Sequence, residues 1–571
     1  MLGNLLIAPA MQPSIDNRVA KPQPAANPPN PFPGGHRLWR HLFCWHFAVL
    51  LAVLVLFGAI RWRLADMPLE RDEGEYAYAG QLILQGIPPY QLAYNMKLPG
   101  TYAAYAAILA GFGQTAHGIH LGFLLVNAVS IILLYLITAR LFSTLAGAIA
   151  GASYALLSTN PGVLGFQAHA THFVVLAALI GLLLLLHAEE TGRTAFCFWS
   201  GLAFGIAFLM KQPGILLGVF AFLHLAFQCH PTNKREWAPW IKKLGIFLLA
   251  GALPFGLTCA LLYRAGVFQN FWFWTFSYAS QYAAIVPLRT GLGRLTTQFS
   301  DLLHFTPWLW MFAIVGASAV FWDSTVRRHA AFVIGLPLFS FGAVCAGLWF
   351  RPHYFILMMP AVAILIAVAV TSASRLLSAK FTSRWPGVLP LVLFVAALAV
   401  AIHRNRDFYF KLTPLQECRI LYYQEAFPEA LPVAEYLRQH TAPTDTIMVF
   451  GSEPEIYFYA HRHSASGFIY TYSLMEDQAY WPVMQRQMMQ EVEASRPAYV
   501  VFVNISRSWN THPGSPQSVA MRAWMTQYIS NGFEAAGTVE LAEPESHYFW
   551  GDDVQRNPRP RFDLLIFKRK D

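Results

Sequence analysis

Long apolar runs fill the chain between residues 41 and 403 and constrain its fold more than any other feature. A helix needs about 20 mostly apolar residues to cross the hydrocarbon core of a bilayer. Eleven runs reach or approach that length, at about 41–60, 119–141, 145–158, 166–187, 195–211, 213–229, 243–263, 304–322, 329–349, 353–371 and 387–403. They predict an all-α polytopic membrane domain with about 11 spans, of which several are short.

The composition excludes a soluble globular protein. Hydrophobic residues make up 56% of the 571 residues and charged residues only 12%, whereas an average soluble domain is roughly 25% charged. The formal net charge is +9, and in a membrane protein such an excess reflects cytoplasmic loops rather than nucleic-acid binding. The six cysteines include no CxxC pair, so neither a metal finger nor a redox motif is expected.

The chain divides into three parts. Residues 1–36 are polar and rich in proline, which predicts a disordered cytoplasmic tail. Residues 37–403 form the transmembrane domain, and a short apolar stretch at 99–113 predicts a re-entrant or interfacial helix. Residues 404–571 alternate strand patterns (443–451, 496–503 and 562–568) with helix patterns (476–495 and 517–531). This alternation predicts a C-terminal α/β domain.

The distribution of lysine and arginine predicts the orientation. With the N-terminus inside, the inner loops receive more basic residues than the outer loops, as expected for cytoplasmic loops. An odd number of spans then places residues 404–571 outside the membrane. The first outer loop, residues 61–118, lies on that same side and is too long to be a simple turn.

The first outer loop carries a cluster of charges close to the end of the first span. Residues 71–78 read RDEGEYAY, and three carboxylates near a membrane are costly unless they are solvated or paired. One interpretation is a solvated loop with an Arg–Glu pair. The other is a site for chemistry.

The same loop places Lys97 just before Pro99 and an aromatic helix. A lysine at that position is suited to contact a lipid phosphate. The alternative is an anchoring lysine whose ammonium extends to the membrane interface.

Taken together, these stretches resemble the GT-C membrane glycosyltransferases. The order is DE-xx-Y at 72–76, GIPPY at 86–90, Lys97 before proline, and then a helix. The segment LMKQP at 209–213 and the segment RPHYF at 351–355, with Pro360 after it, also resemble that group. The resemblance covers about residues 41–403 and is strongest to the bacterial branch related to protein O-mannosyltransferases and to the lipid A aminoarabinose transferase.

The resemblance implies an inverting sugar transfer from a polyprenyl-phosphate donor to an acceptor hydroxyl of a lipid, glycan or protein. It makes Asp72 the catalytic base, with Glu73 beside it, and a positioned base contributes about 10²–10⁴-fold. It makes Lys97 the donor-phosphate ligand, assisted by Lys211 and Arg351, because the leaving group is an anion that cations stabilise. The remaining residues expected in the substrate pocket are Arg71, Tyr76, Tyr90, His353 and Tyr354.

The resemblance also implies a bacterial inner membrane protein whose active site and C-terminal domain face the periplasm. Two positions depart from the aminoarabinose transferase pattern. Gly74 and Glu75 stand where that enzyme has an arginine soon after its DE pair, and Met96 stands where it has an acidic residue before the lysine. These departures affect the identity of the sugar and leave the general class intact.

No metal-ligand residues are predicted, and the lipid-linked sugar donor is the one expected ligand; a divalent metal ion stays open as an alternative that no motif supports. His169 and His172 are spaced i, i+3 and could share a metal ion, but such residues more often line a polar cavity. The aromatic run at 271–276, with Tyr278 and Tyr282, predicts either an interfacial belt or a wall for the lipid or sugar.

Two other classes of function compete with the glycosyltransferase. A transporter or flippase for a lipid-linked glycan would carry ionisable residues at the bilayer midplane and show repeat symmetry. The chain shows no such repeat, and its carboxylates cluster in the first outer loop. A non-catalytic scaffold whose outer domain binds a partner is the third alternative.

Overall fold

The computed structural model describes residues 45–228, 230–231, 233–383, 385–510, 514–542, 545–556 and 562–570. All of them fall within one compact unit. The predicted tail, residues 1–36, lies outside the described residues.

The first part of the described chain is helical as far as residue 440. Its α-helices are α1 (Trp45–Arg63), α2 (Arg71–Leu84), α3 (Pro99–Phe112), α4 (Ala116–Leu141), α5 (Thr144–Leu157), α6 (Ala170–Thr191), α7 (Thr194–Met210), α8 (Ile215–Gln228), α9 (Trp237–Arg264), α10 (Phe268–Trp272), α11 (Ala279–Ala284), α12 (Leu288–Phe305), α13 (Pro307–Trp322), α14 (Ser324–Arg327), α15 (Ala330–Val344), α16 (Met359–Lys380), α17 (Trp385–Arg404), α18 (Arg406–Phe410), α19 (Pro414–Leu421) and α20 (Phe427–His440). A π-helical segment, Phe273–Tyr278, joins α10 to α11, and 3₁₀ turns at Gln212–Gly214 and Pro352–Met358 lead into α8 and α16.

The apolar helices confirm the predicted polytopic membrane domain. Among the described residues, six are long and apolar enough to cross a membrane: α1, α4, α6, α9, α17 and the joined helix Pro352–Lys380. A seventh candidate is the pair α12 and α13, which is bent by 107° at a break just before Pro307. Four more apolar helices are shorter: α5, α7, Gln212–Gln228 and α15.

Every apolar run predicted from the sequence coincides with one of these helices. The expected count of about 11 spans therefore divides into six long helices, one bent pair and four short helices. At 1.5 Å per residue, the 14 residues of α5 and the 17 residues of α7 are shorter than the roughly 30 Å of hydrocarbon. The joined helix Pro352–Lys380 is buried over its whole apolar window, so the other helices surround it.

The connection between α1 and α4 holds the two helices α2 and α3. Helix α2 begins with a reciprocal cap: the Glu70 carboxylate accepts from the Glu73 backbone N–H at 3.0 Å, and the Glu73 carboxylate accepts from the Glu70 N–H at 3.5 Å. Helix α3 begins at Pro99, whose ring suits a first helical position. The short helix predicted at 99–113 is therefore present.

The C-terminal part forms the predicted α/β domain around a six-stranded sheet. The strands are β1 (Thr446–Phe450), β2 (His463–Ser464), β3 (Tyr499–Val503), β4 (Phe533–Glu540), β5 (His547–Trp550) and β6 (Leu564–Arg569), and the helices between them are α21 (Glu455–Ala460), α22 (Tyr472–Met475), α23 (Trp481–Ser495), α24 (Ser506–Trp509), α25 (Pro516–Gly532) and α26 (Asp553–Arg556). The sheet order is β2-β1-β3-β6-β4-β5. Strand β1 pairs in parallel with β2 and β3, whereas β6 pairs antiparallel with β3 and β4, as β5 does with β4.

One buried apolar cluster continues from α2 and α3 into the sheet domain. At Gly74 the helices α2 and α21 approach so closely that a Cβ atom there would lie 2.6 Å from the backbone nitrogen of Glu455. Only glycine fits such a contact without a shift of one helix. The connection between α1 and α4 and the C-terminal domain thus pack together around one region of the fold.

Candidate active site

A cavity of about 730 Å³ opens where the connection between α1 and α4, the apolar helices and the C-terminal domain meet. Its volume lies within the range of small-molecule sites. Its walls come from the start of α2, the loop before α3, the break between α7 and α8, the segment 274–283, the turn before α16, and residues 470–476. Of the predicted site residues, the cavity is lined by Arg71, Asp72, Tyr76, Lys97, Lys211, Arg351, His353 and Tyr354, but not by Glu73 or Tyr90.

Asp72 lies in the first turn of α2 and is 21% exposed at its side chain. Its Oδ1 accepts hydrogen bonds from Lys97 Nζ at 2.7 Å and from the Tyr470 hydroxyl at 3.1 Å. Burial opposes the charged form of Asp72, but the Lys97 ammonium outweighs burial and holds the pKa of this carboxyl well below its usual range. Asp72 is therefore a carboxylate, which is the form that a general base requires.

Lys97 is shared between two carboxylates. Its Nζ also donates to Glu75 Oε2 at 2.6 Å, and the Tyr102 hydroxyl donates to Glu75 Oε1 at 2.5 Å. The ammonium lies 4.6 Å from the ring centroid of Tyr76. Burial lowers the pKa of Lys97, but Asp72 and Glu75 raise it by more, so the net shift is well above the usual value. Two of the three ammonium protons are used here, and the third remains for a ligand in the cavity.

Glu73 and Tyr90 support the site without reaching the cavity. Glu73 is fully buried, and its Oε1 accepts from the Ala168 N–H at 2.6 Å and lies 3.1 Å from His120 Nε2. Tyr90 is fully buried and donates its hydroxyl proton to the Lys97 carbonyl at 2.6 Å. Both residues therefore lie behind the cavity wall, next to groups that line it.

Arg71 links the start of α2 to the C-terminal domain through hydrogen bonds. Its Nη2 donates to Glu425 at 2.9 Å and to Glu453 at 3.2 Å, and its Nε donates to the Ser452 carbonyl at 2.5 Å. The guanidinium also lies over the Tyr472 ring at 5.2 Å. Arg71 therefore lines the cavity with all its charge already balanced.

Lys211 and Arg351 face the cavity differently. Lys211 sits at the break between α7 and α8, with its Nζ 3.9 Å from the ring centroid of Tyr354. The Arg351 guanidinium lies 5.2 Å from the ring centroid of Trp349. Within the described ranges, neither cation forms an ion pair with a carboxylate; their neighbours are aromatic faces, which attract a cation weakly. Both are available to an anion.

Known proteins with related sequence and structure were compared with this chain. Residues 97–264 match the family described as dolichyl-phosphate-mannose-protein mannosyltransferase. The undecaprenyl phosphate-alpha-4-amino-4-deoxy-L-arabinose arabinosyl transferase of Pseudomonas aeruginosa is 26% identical over 361 residues, which are 57% of this chain and 60% of that enzyme. The match thus spans less than two thirds of the curated relative.

The structural similarity extends further along the chain. The crystal structure of ArnT from Cupriavidus metallidurans bound to undecaprenyl phosphate covers 92% of this chain and 97% of its own, at 16% identity and a TM-score of 0.56. The chain has the GT-C fold of the aminoarabinose transferases. The arabinofuranosyltransferase AftD from Mycobacteria is similar over 91% of this chain and 40% of its own length, at 13% identity and a TM-score of 0.50. The predicted resemblance is confirmed, and the chain is a multi-pass bacterial membrane protein.

Several residues of this GT-C cavity were missed by sequence reasoning. Tyr470 and Glu476 come from the C-terminal domain, and the Tyr278 hydroxyl donates to Glu476 at 2.5 Å. No local motif marks either residue, because they reach the cavity only through the packing of that domain. Trp274 and Tyr278, from the aromatic run at 271–278, are buried and line the cavity. This position agrees with the interpretation of the run as a wall of the substrate pocket.

Two histidines approach Asp72: His353, which is an expected pocket residue, and His169. His169 Nδ1 lies 3.9 Å and His353 Nε2 lies 3.7 Å from Asp72 Oδ2, and the two imidazole rings stack with centroids 4.1 Å apart. His172 packs against Phe123 instead, with ring centroids 4.5 Å apart. A helix turn separates His172 from His169, and only His169 reaches the cavity.

Proposed function

We propose that this protein is an inverting glycosyltransferase that moves a sugar from a polyprenyl-phosphate donor to an acceptor hydroxyl at the outer face of the bacterial inner membrane. One observation carries the proposal: a single cavity is lined by the Asp72 carboxyl group and by two basic side chains, Lys211 and Arg351, that have no carboxylate partner among the described residues. A base and an anion site are what this transfer requires. The named relatives, which use or bind undecaprenyl phosphate, support the same donor class.

The proposed reaction needs one proton acceptor and one anion site. The acceptor hydroxyl attacks the anomeric carbon of the donor sugar while Asp72 takes its proton. The bond between that carbon and the phosphate oxygen breaks, and its electron pair leaves with the phosphate. Since attack and departure occur on opposite faces, the anomeric configuration inverts. The leaving phosphate is already an anion, so it needs cations rather than a general acid.

Three cations are proposed to hold the donor phosphate. Lys211 and Arg351, which have no carboxylate partner among the described residues, contact it directly, and Lys97 donates its third proton. Lys97 thereby links the base to the leaving group. In this scheme Arg71, Tyr76, His353 and Tyr354 shape the pocket, while Glu73 and Tyr90 hold α2 and Lys97 in position.

The proposed acceptor is a lipid, glycan or protein hydroxyl at the membrane surface. The proposed arrangement is a cytoplasmic tail (1–36), a transmembrane catalytic domain (37–403) and a periplasmic α/β domain (404–571). The comparisons give no support to the alternative of a transporter or flippase. A cysteine introduced at the exposed position Val519 should react with a membrane-impermeant thiol reagent in intact spheroplasts; labelling only after permeabilisation would reverse the orientation.

The direct test is turnover of labelled donors. Purified protein in detergent is incubated with undecaprenyl-phosphate sugars carrying a radioactive sugar, together with membrane lipid extract as acceptor. Release of undecaprenyl phosphate with the label in a new product is expected for at least one donor. Mass spectrometry of lipid that co-purifies with the protein identifies which sugar to supply. A protein that moves the intact labelled lipid across vesicles without breaking the sugar–phosphate bond would instead be a flippase.

A further inference from the structure

We propose that Tyr470, which belongs to the C-terminal domain, is a positioning residue for Asp72: its hydroxyl holds Oδ1 and leaves Oδ2 as the atom that takes the acceptor proton. The inference rests on the proposed function, in which Asp72 is the base. It adds the identity of the reacting oxygen and gives the C-terminal domain a part in the chemistry. Tyr470 is 7% exposed and lines the cavity.

The two carboxylate oxygens of Asp72 have different surroundings. Oδ1 accepts from Lys97 Nζ at 2.7 Å and from the Tyr470 hydroxyl at 3.1 Å, which uses both of its lone pairs. Oδ2 lies 3.7 Å from His353 Nε2 and 3.9 Å from His169 Nδ1, and both distances are too long for a hydrogen bond. Among the described residues Oδ2 thus has no hydrogen-bond donor, so the proton of an acceptor hydroxyl goes to this atom.

Tyr470 supplies an orientation that Lys97 alone does not. An ammonium on a flexible four-carbon chain acts as a point charge with rotatable donors, so it fixes the charge of Asp72 more firmly than the plane of the carboxylate. The phenol of Tyr470 reaches the same oxygen from a different element of the fold. A rotation that exchanges Oδ1 and Oδ2 would break both hydrogen bonds.

The backbone beside Tyr470 is itself held close to the start of α2. The Thr471 N–H donates to Ser452 Oγ at 3.1 Å, and the Ser452 carbonyl accepts from Arg71 Nε at 2.5 Å. Arg71 directly precedes Asp72 in the chain. The C-terminal domain therefore contacts two adjacent residues at the start of α2, which fixes the distance between the phenol and the base.

The first test needs neither donor nor turnover. Dicyclohexylcarbodiimide modifies carboxyl groups in their protonated form, and peptide mass spectrometry locates the modified residues of the full-length protein in detergent. Tyr470→Phe keeps the ring and removes a hydrogen bond to the charged form of Asp72, which raises the pKa of this carboxyl. Although burial opposes it, Lys97 holds that pKa well below its usual range, so at neutral pH labelling of Asp72 should become about three- to tenfold faster, tenfold for each pKa unit.

The matched control is Tyr459→Phe. The Tyr459 hydroxyl accepts from the Leu69 N–H at 2.9 Å, so this tyrosine also joins the C-terminal domain to the segment before α2, but it does not line the cavity. Its loss leaves a backbone N–H without a partner and lowers stability. Labelling of Asp72 and the rate of transfer per folded molecule should match those of the unmodified protein.

The second test uses the labelled donor. Tyr470→Phe should lower the rate of transfer roughly 10- to 100-fold, as misalignment of a reacting group does, with affinity for undecaprenyl phosphate unchanged. In Asp72→Asn, which has lost the base, the additional change Tyr470→Phe should have little effect, because the two residues act as a unit. A residue that only stabilises the fold would lower the rate by the same factor in both backgrounds.

Unchanged labelling of Asp72 in Tyr470→Phe, or equally faster labelling in Tyr459→Phe, would overturn the contact. Equal rate losses in the two backgrounds would overturn the positioning role. If no donor were turned over by the unmodified protein, the proposed function would fail, and the labelling would still decide whether Tyr470 holds Asp72.

Discussion

Two walls of the cavity differ in whether their charged side chains have partners of opposite charge. The acidic wall, formed by Asp72, Glu75 and Lys97, is internally paired, with each charge held by a short ion pair. The basic wall, formed by Lys211 and Arg351, has aromatic neighbours and, within the described residues, no carboxylate partner. Paired charges keep a reactive group in a fixed place and charge state, whereas an unpaired buried cation is costly until an anion arrives.

This difference in pairing gives the two walls different proposed roles, proton transfer on the acidic wall and anion binding on the basic wall. On the acidic wall the proposed base is ready without substrate, because Lys97 keeps Asp72 ionised. On the basic wall, Lys211 and Arg351 gain a favourable electrostatic interaction only when a phosphate occupies the cavity. Variants of Asp72 should therefore change the rate of transfer, variants of the basic wall should change donor affinity, and variants of Lys97, which contacts both groups in the proposal, should change both.

The largest expected effect is the loss of transfer in Asp72→Asn. The amide keeps the size of the side chain and cannot take the acceptor proton, so the rate should fall about 10²–10⁴-fold, with donor affinity nearly unchanged. The measurement is initial rate with labelled donor. The matched control is the neighbouring Glu73→Gln, which should lose about 1–3 kcal/mol of stability, because its amide NH₂ replaces Oε2 and cannot accept from the Glu70 backbone N–H, and should retain its rate per folded molecule. If Glu73→Gln lost transfer and Asp72→Asn kept it, Glu73 would be the base.

The next largest effect is expected for Arg71→Met. The change leaves the carboxylates of Glu425 and Glu453, which are 7% and 0% exposed, without their cation. Breaking a buried pair in this way costs about 3–5 kcal/mol, so thermal unfolding in detergent should shift to clearly lower temperature. Arg438→Met is the control, because its pair with Glu435 is half exposed and should matter little. Equal stability of the two variants would mean that the link between loop and C-terminal domain does not depend on Arg71.

The sequence predicted the membrane part of this fold well, because apolar runs report helices directly. It predicted the sheet less completely. Strand β4 has the sequence FEAAGTVE, whose alanines, glycine and glutamates favour strands weakly. Strands β2 and β5 are only two and four residues long. Their formation depends on pairing with neighbours distant in sequence, which no local pattern records.

The same distinction applies to the site. Asp72 and Lys97 were predicted because a motif places them, but adjacent residues on a helix point about 100° apart. Glu73 points away from the cavity that Arg71 and Asp72 line, and the spacing Glu70-x-x-Glu73, which resembles a capping box, is the local signal of its position. His169 and His353 are 184 positions apart in the printed sequence, so only the packed fold brings them together.

Variants of the basic wall test the other half of the comparison. Lys211→Met and Arg351→Met each remove one charged hydrogen-bond donor, worth about 1.5–3 kcal/mol, so affinity for undecaprenyl phosphate should fall roughly 10- to 100-fold. Calorimetric titration of the purified protein measures this change. Lys211→Arg keeps the charge and should retain most of the affinity. If Lys97→Met weakened binding far more than both basic-wall variants, the phosphate would lie on the acidic wall and the division between the walls would fail.

The smallest expected effect is a pH dependence set by Glu476. Burial raises the pKa of this carboxyl to about 7, although the Tyr278 hydroxyl and the Arg351 charge act in the opposite direction. Glu476 is therefore mostly neutral below pH 7 and becomes an anion as the pH rises through 7. The new negative charge lies in the same cavity as Arg351 and offsets part of its attraction for phosphate. Affinity for undecaprenyl phosphate should consequently fall by less than about tenfold, or 1.4 kcal/mol, between pH 6 and pH 8.

The lipid phosphate also titrates in this range, so the informative quantity is the ratio of affinities for the unmodified protein and Glu476→Gln at each pH. The variant is neutral throughout and keeps an oxygen that accepts from Tyr278. The ratio should be close to one at pH 6, where both side chains are uncharged, and should favour the variant at pH 8. A ratio that does not change with pH would show that Glu476 keeps one charge state across the range and that the basic wall acts without it.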